Sequence, residues 1–147
     1  MKRIKIEPVK CVGCKICELT CSFHHFGVFS HELSNCIIKG LDDTADFTPH
    51  ICIQCDRRSC VHSCPVEALS IDTDTGAVLC DHDICIKCGA CVEACEYEGI
   101  HFIKINGEER ITVCDLCGGD PKCVKRCYLK AVSYVGDDNG REEGNYT

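Results

Sequence analysis

The sequence predicts a small α+β fold in which two modules of short helices and short hairpins are nested one inside the other. Three observations carry that reading. Sixteen of the eighteen cysteines in 147 residues fall into four tight groups. Each group is followed by the same punctuation, a short helical stretch and then a short apolar strand. The ordinary apolar core is thin, with no Trp, one Met and few aromatics, and cysteine inflates the 45% hydrophobic fraction. Something other than aliphatic side chains must fill the interior, so the bare chain is expected to be largely unfolded.

The groups are Cys11, Cys14, Cys17 and Cys21; Cys52, Cys55, Cys60 and Cys64; Cys85, Cys88, Cys91 and Cys95; and Cys114, Cys117, Cys123 and Cys127. Groups one and three are C-x2-C-x2-C-x3-C, the spacing of the bacterial ferredoxin run that holds [4Fe–4S] clusters. Group two widens the middle gap to four residues and group four to five. A cubane offers four iron corners, and each needs one thiolate. A loop with two residues between successive cysteines curls over one face of the cube and reaches three corners. The last cysteine lies three residues on, where a short helix begins, and points away. In two-cluster ferredoxins it ligates the other cluster. Four groups therefore predict four cubanes, with the groups working in pairs.

Rival uses of cysteine fit less well. Zinc ribbons take two ligands from each of two knuckles, whereas each group here places four cysteines within fourteen residues. The cysteine content would suit a disulfide scaffold. However, the opening MKRIKIEPVK has no apolar signal-peptide core, and no segment approaches about eighteen apolar residues. The expected location is cytoplasmic, where thiols stay reduced or metal-bound. A [3Fe–4S] or [2Fe–2S] centre at one group stays open, although no group has lost a cysteine. Cys36 and Cys80 lie outside the groups and read as small buried hydrophobes. Cys80 precedes Cys85 by only five residues, close enough for occasional ligand exchange.

The elements follow in order. Arg3-Ile4-Lys5-Ile6 alternates and is paired with residues 131–135, which closes the first and last groups into one unit. Residues 22–49 join outer to inner, with Phe23, Phe26, Val28 and Phe29 either covering a cluster or forming a docking face. After Cys64, Pro65 to Leu69 precede a strand at Ser70-Ile71-Asp72. The turn Thr73-Asp74-Thr75-Gly76 leads into its return, Ala77-Val78-Leu79. After Cys95, residues 100–105 alternate, Asn106-Gly107 is a strong hairpin turn, and residues 110–113 return. The inner module is thus residues 48–105, and the outer module is residues 1–47 with 106–147. The Gly-, Asp- and Glu-rich tail from Gly136 onward is expected to be loose.

Net charge is -7, and four oxidised cubanes with their thiolates bring it to about -15. That balance excludes nucleic acid and favours a partner with a basic docking patch. No nucleotide-binding glycine loop is present, and no group spares a ligand position for open-site catalysis. Lys10, Lys15, Arg57, Arg58, Lys87, Lys122, Lys125 and Arg126 flank or interrupt the groups, as solvated charge or as tuners of potential. His24 and His25 are expected at the edge of the site that uses Cys21, not as ligands.

The gap pattern x2-x2, x2-x4, x2-x2 and x2-x5 over residues 10–135 resembles the four-cluster electron-transfer subunits of the dimethyl sulfoxide reductase iron–sulfur family. The opening CVGCKICELTCSFHHFGVFSHELS is similar to the ferredoxin-like subunits of tungsten aldehyde oxidoreductases and carbon monoxide dehydrogenases. The resemblance implies two nested bacterial dicluster ferredoxin-like modules and crossed ligation of four [4Fe–4S] clusters. Cluster one would use Cys11, Cys14, Cys17 and Cys127, and cluster two Cys52, Cys55, Cys60 and Cys95. Cluster three would use Cys85, Cys88, Cys91 and Cys64, and cluster four Cys114, Cys117, Cys123 and Cys21. One departure is that only Cys64 is followed by Pro. The resemblance also implies a non-catalytic subunit relaying single electrons between a larger catalytic oxidoreductase and an acceptor. A tungsten or molybdenum pterin enzyme of the aldehyde oxidoreductase type is the favoured partner, and a carbon monoxide dehydrogenase the second. The alternatives are a free soluble polyferredoxin and an iron–sulfur cluster carrier.

Overall fold

Among the described residues, four separate two-stranded antiparallel sheets carry the chain from one cysteine loop to the next. The computed structural model describes residues 1–40 and 43–136. Most of the tail read as loose lies outside the described residues.

The first and last strands close the molecule. β1 (Arg3–Ile6) pairs antiparallel with β8 (Val132–Val135), with Arg3 opposite Val135 and Ile6 opposite Val132. The alternation of Arg3-Ile4-Lys5-Ile6 foretells this, because Ile4 faces inward and is buried with Val132. β6 (Ile100–Ile105) and β7 (Glu108–Val113) form the hairpin that Asn106-Gly107 announces. Both turn residues are left-handed, with φ 51 and 84, which matches the twist of the strands they join. β4 (Leu69–Ile71) and β5 (Val78–Cys80) form a shorter hairpin. Asp72 organises its turn, accepting from the Thr75 N–H at 3.0 Å through its carboxylate and from the Gly76 N–H at 2.8 Å through its carbonyl.

The fourth hairpin falls in the stretch read as a joining segment. β2 (Cys36–Gly40) pairs with β3 (Phe47–Ile51), with Ile38 opposite Pro49. A proline normally argues against a strand because it cannot donate to the ladder. A two-stranded sheet is all edge, however, so Pro49 turns its missing N–H outward at no cost.

Three helices are one turn long: α2 (Ser59–His62), α3 (Ala90–Glu93) and α4 (Lys122–Arg126). They correct the sequence reading, which put a short helix after each group: each lies around its group's third cysteine and ends before the last, and residues 65–68 and 96–99 are turn and loop. In chain order these helices follow α1 (Ile16–Phe26), which runs for eleven residues. It stops at Gly27, whose φ of 69 lets its N–H return to the Phe23 carbonyl at 2.9 Å. α1 packs on α4, and α2 packs on α3. The interior is a layer of Ile4, Ile51, Ile100, Ile111, Leu116 and Val78 interleaved with buried cysteines. The aliphatic share is small, as the composition foretold.

Candidate metal centre

The cysteine loops share a backbone device. The residue just before the second cysteine of each group is left-handed: Gly13, Gln54, Lys87 and Leu116, with φ 70, 57, 58 and 58. A left-handed residue there bends the chain sharply, so both thiols of the C-x2-C face one space. Only glycine adopts that conformation freely, so the other three hold it at a cost of about 1 kcal/mol or more each. In groups two, three and four the third residue after the last cysteine is left-handed too: Glu67, Glu98 and Lys130. Group one has no counterpart because α1 continues through that place.

These loops gather the thiols into four sets. Cys11, Cys14, Cys17 and Cys127 line a cavity of about 180 Å³ with Val12, Ile16, Ile38 and Leu129. Cys64, Cys85, Cys88 and Cys91 line a second with Val66, Leu69, Ile86 and Gly89, and Cys80 joins them. Cys55, Cys60 and Cys95 line a third, and Cys52 lies close enough to Cys60 and Cys95 to feel both. Cys114, Cys117 and Cys123 share the influence of Cys21. In every set three thiols come from one group and the fourth from another, group one with four and group two with three.

The donor set suits an iron–sulfur cubane. Neither of the first two cavities has a carboxylate in its lining, and soft thiolates without hard oxygen donors select iron–sulfur clusters or zinc. Burial pushes the Cys52 thiol up to about 12 and Cys91 up to about 11. It drives Cys114 and Cys123 well above the usual range as well. Such thiols resist losing their protons until a cation balances the charge, so insertion of metal, proton release and folding are linked. Backbone N–H groups then point at sulfur: Asn35 to Cys21 at 3.3 Å, Ala68 to Cys64 at 3.2 Å, Gly99 to Cys95 at 3.3 Å and Lys87 to Cys85 at 3.4 Å. Three of these receive on a crossing cysteine, and hydrogen bonds to ligand sulfur tune a cluster's potential.

Several supporting residues have no cysteine-like signal. Glu18, 2% exposed, accepts from the Ile38 N–H at 2.6 Å and from His31 Nδ1 at 2.6 Å, and so ties α1 to β2. Buried Gln54 donates to the Cys114 carbonyl at 2.6 Å and accepts from Val78 N–H and Arg58, linking groups two and four. Neither was foreseen, because a lone Glu or Gln beside a cysteine carries no mark of burial. Cys36 is buried as expected, but it also hydrogen-bonds to Cys17 and Cys21 and holds both thiols below their usual range.

His25 sits at the edge of the Cys21 set, as expected. Its Nε2 donates to Asp115 at 3.0 Å and its Nδ1 to the Cys21 carbonyl at 2.9 Å. Asp115, then the Cys21 sulfur, hold the imidazole protonated and raise its pKa to about 11. His24, His25 and Cys117 bring their donor atoms within 4.8 Å of one another. Five of the eight flanking cations have partners within the fold: Lys10 pairs with Glu7, Arg58 reaches the Gly76 carbonyl, Arg57 pairs with Glu96, and Lys122 and Lys125 share Asp120. Phe23 and Phe29 stack at 4.6 Å and are exposed, but neighbouring Cys21 is buried. Cys14 and Cys88 are the exposed cysteines.

Comparison with known proteins gives a consistent picture. A family model described as a 4Fe-4S dicluster domain matches residues 44–137. The chain is 44% identical over 125 residues to the polyferredoxin-like subunit of an aliphatic sulfonate oxidoreductase from Pyrococcus furiosus, covering 85% of this chain and 70% of that protein. It is 36% identical over 114 residues to a subunit of tetrathionate reductase from Archaeoglobus fulgidus, covering 75% of this chain and 53% of that one, about half of its length. Among solved structures, the BamBC active-site complex of benzoyl coenzyme A reductase in complex with zinc has a TM-score of 0.51 at 22% identity, over 92% of this chain and 78% of that one. That likeness is one of fold.

Proposed function

Because the chain belongs to the 4Fe-4S dicluster domain family, we propose that it is the electron-transfer subunit of a larger oxidoreductase and carries four [4Fe–4S] clusters on its four crossed thiol sets. It is an iron–sulfur electron-transport protein of the kind that serves as an oxidoreductase subunit. Among the described residues no helix is long and apolar enough to cross a membrane.

The observation that carries the proposal is the row in which the sets lie. Cys123 of the fourth set neighbours Cys17 of the first. Cys114 of the fourth neighbours Cys52 of the second. Cys91 of the third neighbours Cys60 of the second. The order is therefore first, fourth, second, third, with exposed Cys14 at one end and exposed Cys88 at the other. A bound cubane supplies one-electron redox chemistry. The protein supplies a thiol-lined row with an exposed cysteine at each end, and four cysteines per set would give each iron corner of a bound cubane its own ligand, with no vacancy for substrate. The nested modules, 1–47 with 106–147 around 48–105, are the sequence counterpart of this row. The pairing of β1 with β8 and the packing of α1 on α4 support them.

The catalytic partner we favour is a tungsten or molybdenum pterin enzyme of the aldehyde oxidoreductase type, with a carbon monoxide dehydrogenase second. The 44% identity to an oxidoreductase's polyferredoxin-like subunit supports a dedicated complex. The aromatic segment of residues 23–29 is one candidate docking face. That segment adjoins Cys21, whose set is inside the row, so docking is assigned to the faces around Cys14 and Cys88. Anaerobic pull-down, followed by dye reduction with aldehyde or carbon monoxide with and without this chain, tests the proposal. A stable complex whose dye reduction needs this chain is the expected result. A lone monomer that exchanges electrons freely with unrelated enzymes would make it a shuttle instead.

A further inference from the structure

The third thiol set holds one cysteine too many. Cys80 lines the same cavity as Cys64, Cys85, Cys88 and Cys91, and it lies close enough to Cys85 to feel its charge. Local backbone explains the pair. Cys80 ends β5 opposite Leu69. The chain then turns tightly, with the Asp81 N–H on the Ala68 carbonyl at 2.8 Å and the Cys85 N–H on the Asp81 carbonyl at 3.1 Å. Residue 85 is thereby folded back over the strand end that carries Cys80. The other cysteine outside the four groups differs. Cys36 is 2% exposed, is fixed by Ser34 and is absent from the lining of the first cavity.

We propose that Cys80 is a reserve ligand of the third site, able to take the iron corner of Cys85 when Cys85 lets go. The inference rests on reading that set as an iron–sulfur site. The exchange balances without any redox agent. The bond from iron to Cys85 Sγ breaks and a bond from iron to Cys80 Sγ forms. The Cys80 proton passes to the Cys85 sulfur beside it, and no electron is gained or lost. The third site is an exposed end of the row, since Cys88 is open to solvent. A spare thiolate there keeps a cubane whole where ligand loss is easiest. His82, with Nδ1 at 3.8 Å from Cys80 Sγ, is a second acceptor for the proton when Cys85 is missing.

The test compares anaerobically purified holoproteins by iron and sulfide content and by the EPR of oxidised and reduced samples. Cys85→Ala should keep the iron content of the unmutated protein and show no [3Fe–4S] signal. Cys80→Ala/Cys85→Ala should lose about a quarter of the iron or show that signal. If Cys85→Ala loses as much as the Cys80 double variant, or does not accumulate as holoprotein, the reserve role is overturned. Cys88→Ala separates the two levels, because no spare thiol replaces Cys88. Full iron in Cys88→Ala would overturn the reading of the site itself, whereas its loss leaves that reading standing whatever Cys85→Ala does.

Discussion

Groups one and three share the spacing C-x2-C-x2-C-x3-C yet become different structures. In group three the helix is only Ala90–Glu93, Cys95 lies beyond it, and left-handed Glu98 delivers the chain into β6. In group one the helix runs Ile16–Phe26 and carries Cys21 within it. The residue four places after the last cysteine decides much of this. It is Gly99 in group three, where an added Cβ would come within 2.6 Å of Cys52 Cα. It is His25 in group one, whose ring reaches across to Asp115. Cysteine spacing sets which thiols meet. The residues that follow set how the chain leaves and which donor the crossing sulfur receives.

The largest effects should come from the crossing cysteines themselves. Cys21→Ala should disturb the set of Cys114, Cys117 and Cys123, and Cys95→Ala the set of Cys52, Cys55 and Cys60. Each should lose about a quarter of the iron or leave a [3Fe–4S] signal by EPR. If Cys21→Ala instead altered only the set of Cys11, Cys14 and Cys17, the two groups would not lend their last thiols outward, and the comparison would break.

Next in size is the exit from group three. Gly99→Val should destabilise the holoprotein by about 3 kcal/mol in anaerobic denaturant titration, because the new side chain meets backbone that has nowhere to go. His25→Val, at the equivalent place in group one, meets no such backbone and should cost less. Equal losses would show that the close approach at Gly99 is not what shapes this exit.

A third contrast lies one residue after the third cysteine, Glu18 in group one and Val92 in group three. Glu18→Ala leaves the Ile38 N–H without its acceptor and should cost about 2 kcal/mol. Val92→Ala removes part-buried methyl groups and should cost about 1 kcal/mol. The reverse order in the same titration would mean that α1 is held by something other than its carboxylate.

The smallest effect concerns the surface link between the regions. Glu98, after group three, binds Lys39 at 2.8 Å and His50 at 2.9 Å on the β2–β3 hairpin. Lys39, then His50, hold the Glu98 carboxyl below its usual range. A lowered carboxylate contributes stability above its ordinary pKa and loses it as pH falls through the folded value. Glu98→Gln should therefore lower the unfolding midpoint slightly at pH 7, and the gap should close below about pH 4. A gap independent of pH would point to lost packing instead of lost charge.

Much of this was legible because its signals are local. Asn106-Gly107 announces its hairpin, and Ile4 and Ile6 announce a strand that needs a partner. Three or four cysteines at fixed spacing announce a loop around a cube. What stayed hidden depends on distant partners. Glu18 meets the Ile38 N–H 20 residues away, and Gln54 meets the Cys114 carbonyl 60 residues away. Neither neighbour leaves a trace beside its partner in the sequence. The β2–β3 hairpin was obscured by Pro49, and the full length of α1 by Phe23, His24, His25 and Phe26, which read as part of a joining segment. Cys36 and Cys80 looked alike as extra thiols. Only the fold separates the one fixed by Ser34 from the one lining a ligand cavity.

The central claim is that four crossed thiol sets each hold a cubane, and one measurement meets it directly. Iron and acid-labile sulfide are quantified per chain on protein purified anaerobically, with EPR of the reduced sample. The account predicts about sixteen of each per chain and a spectrum broadened by coupling between neighbouring reduced clusters. Zinc as the main metal, or about eight irons per chain, would contradict it.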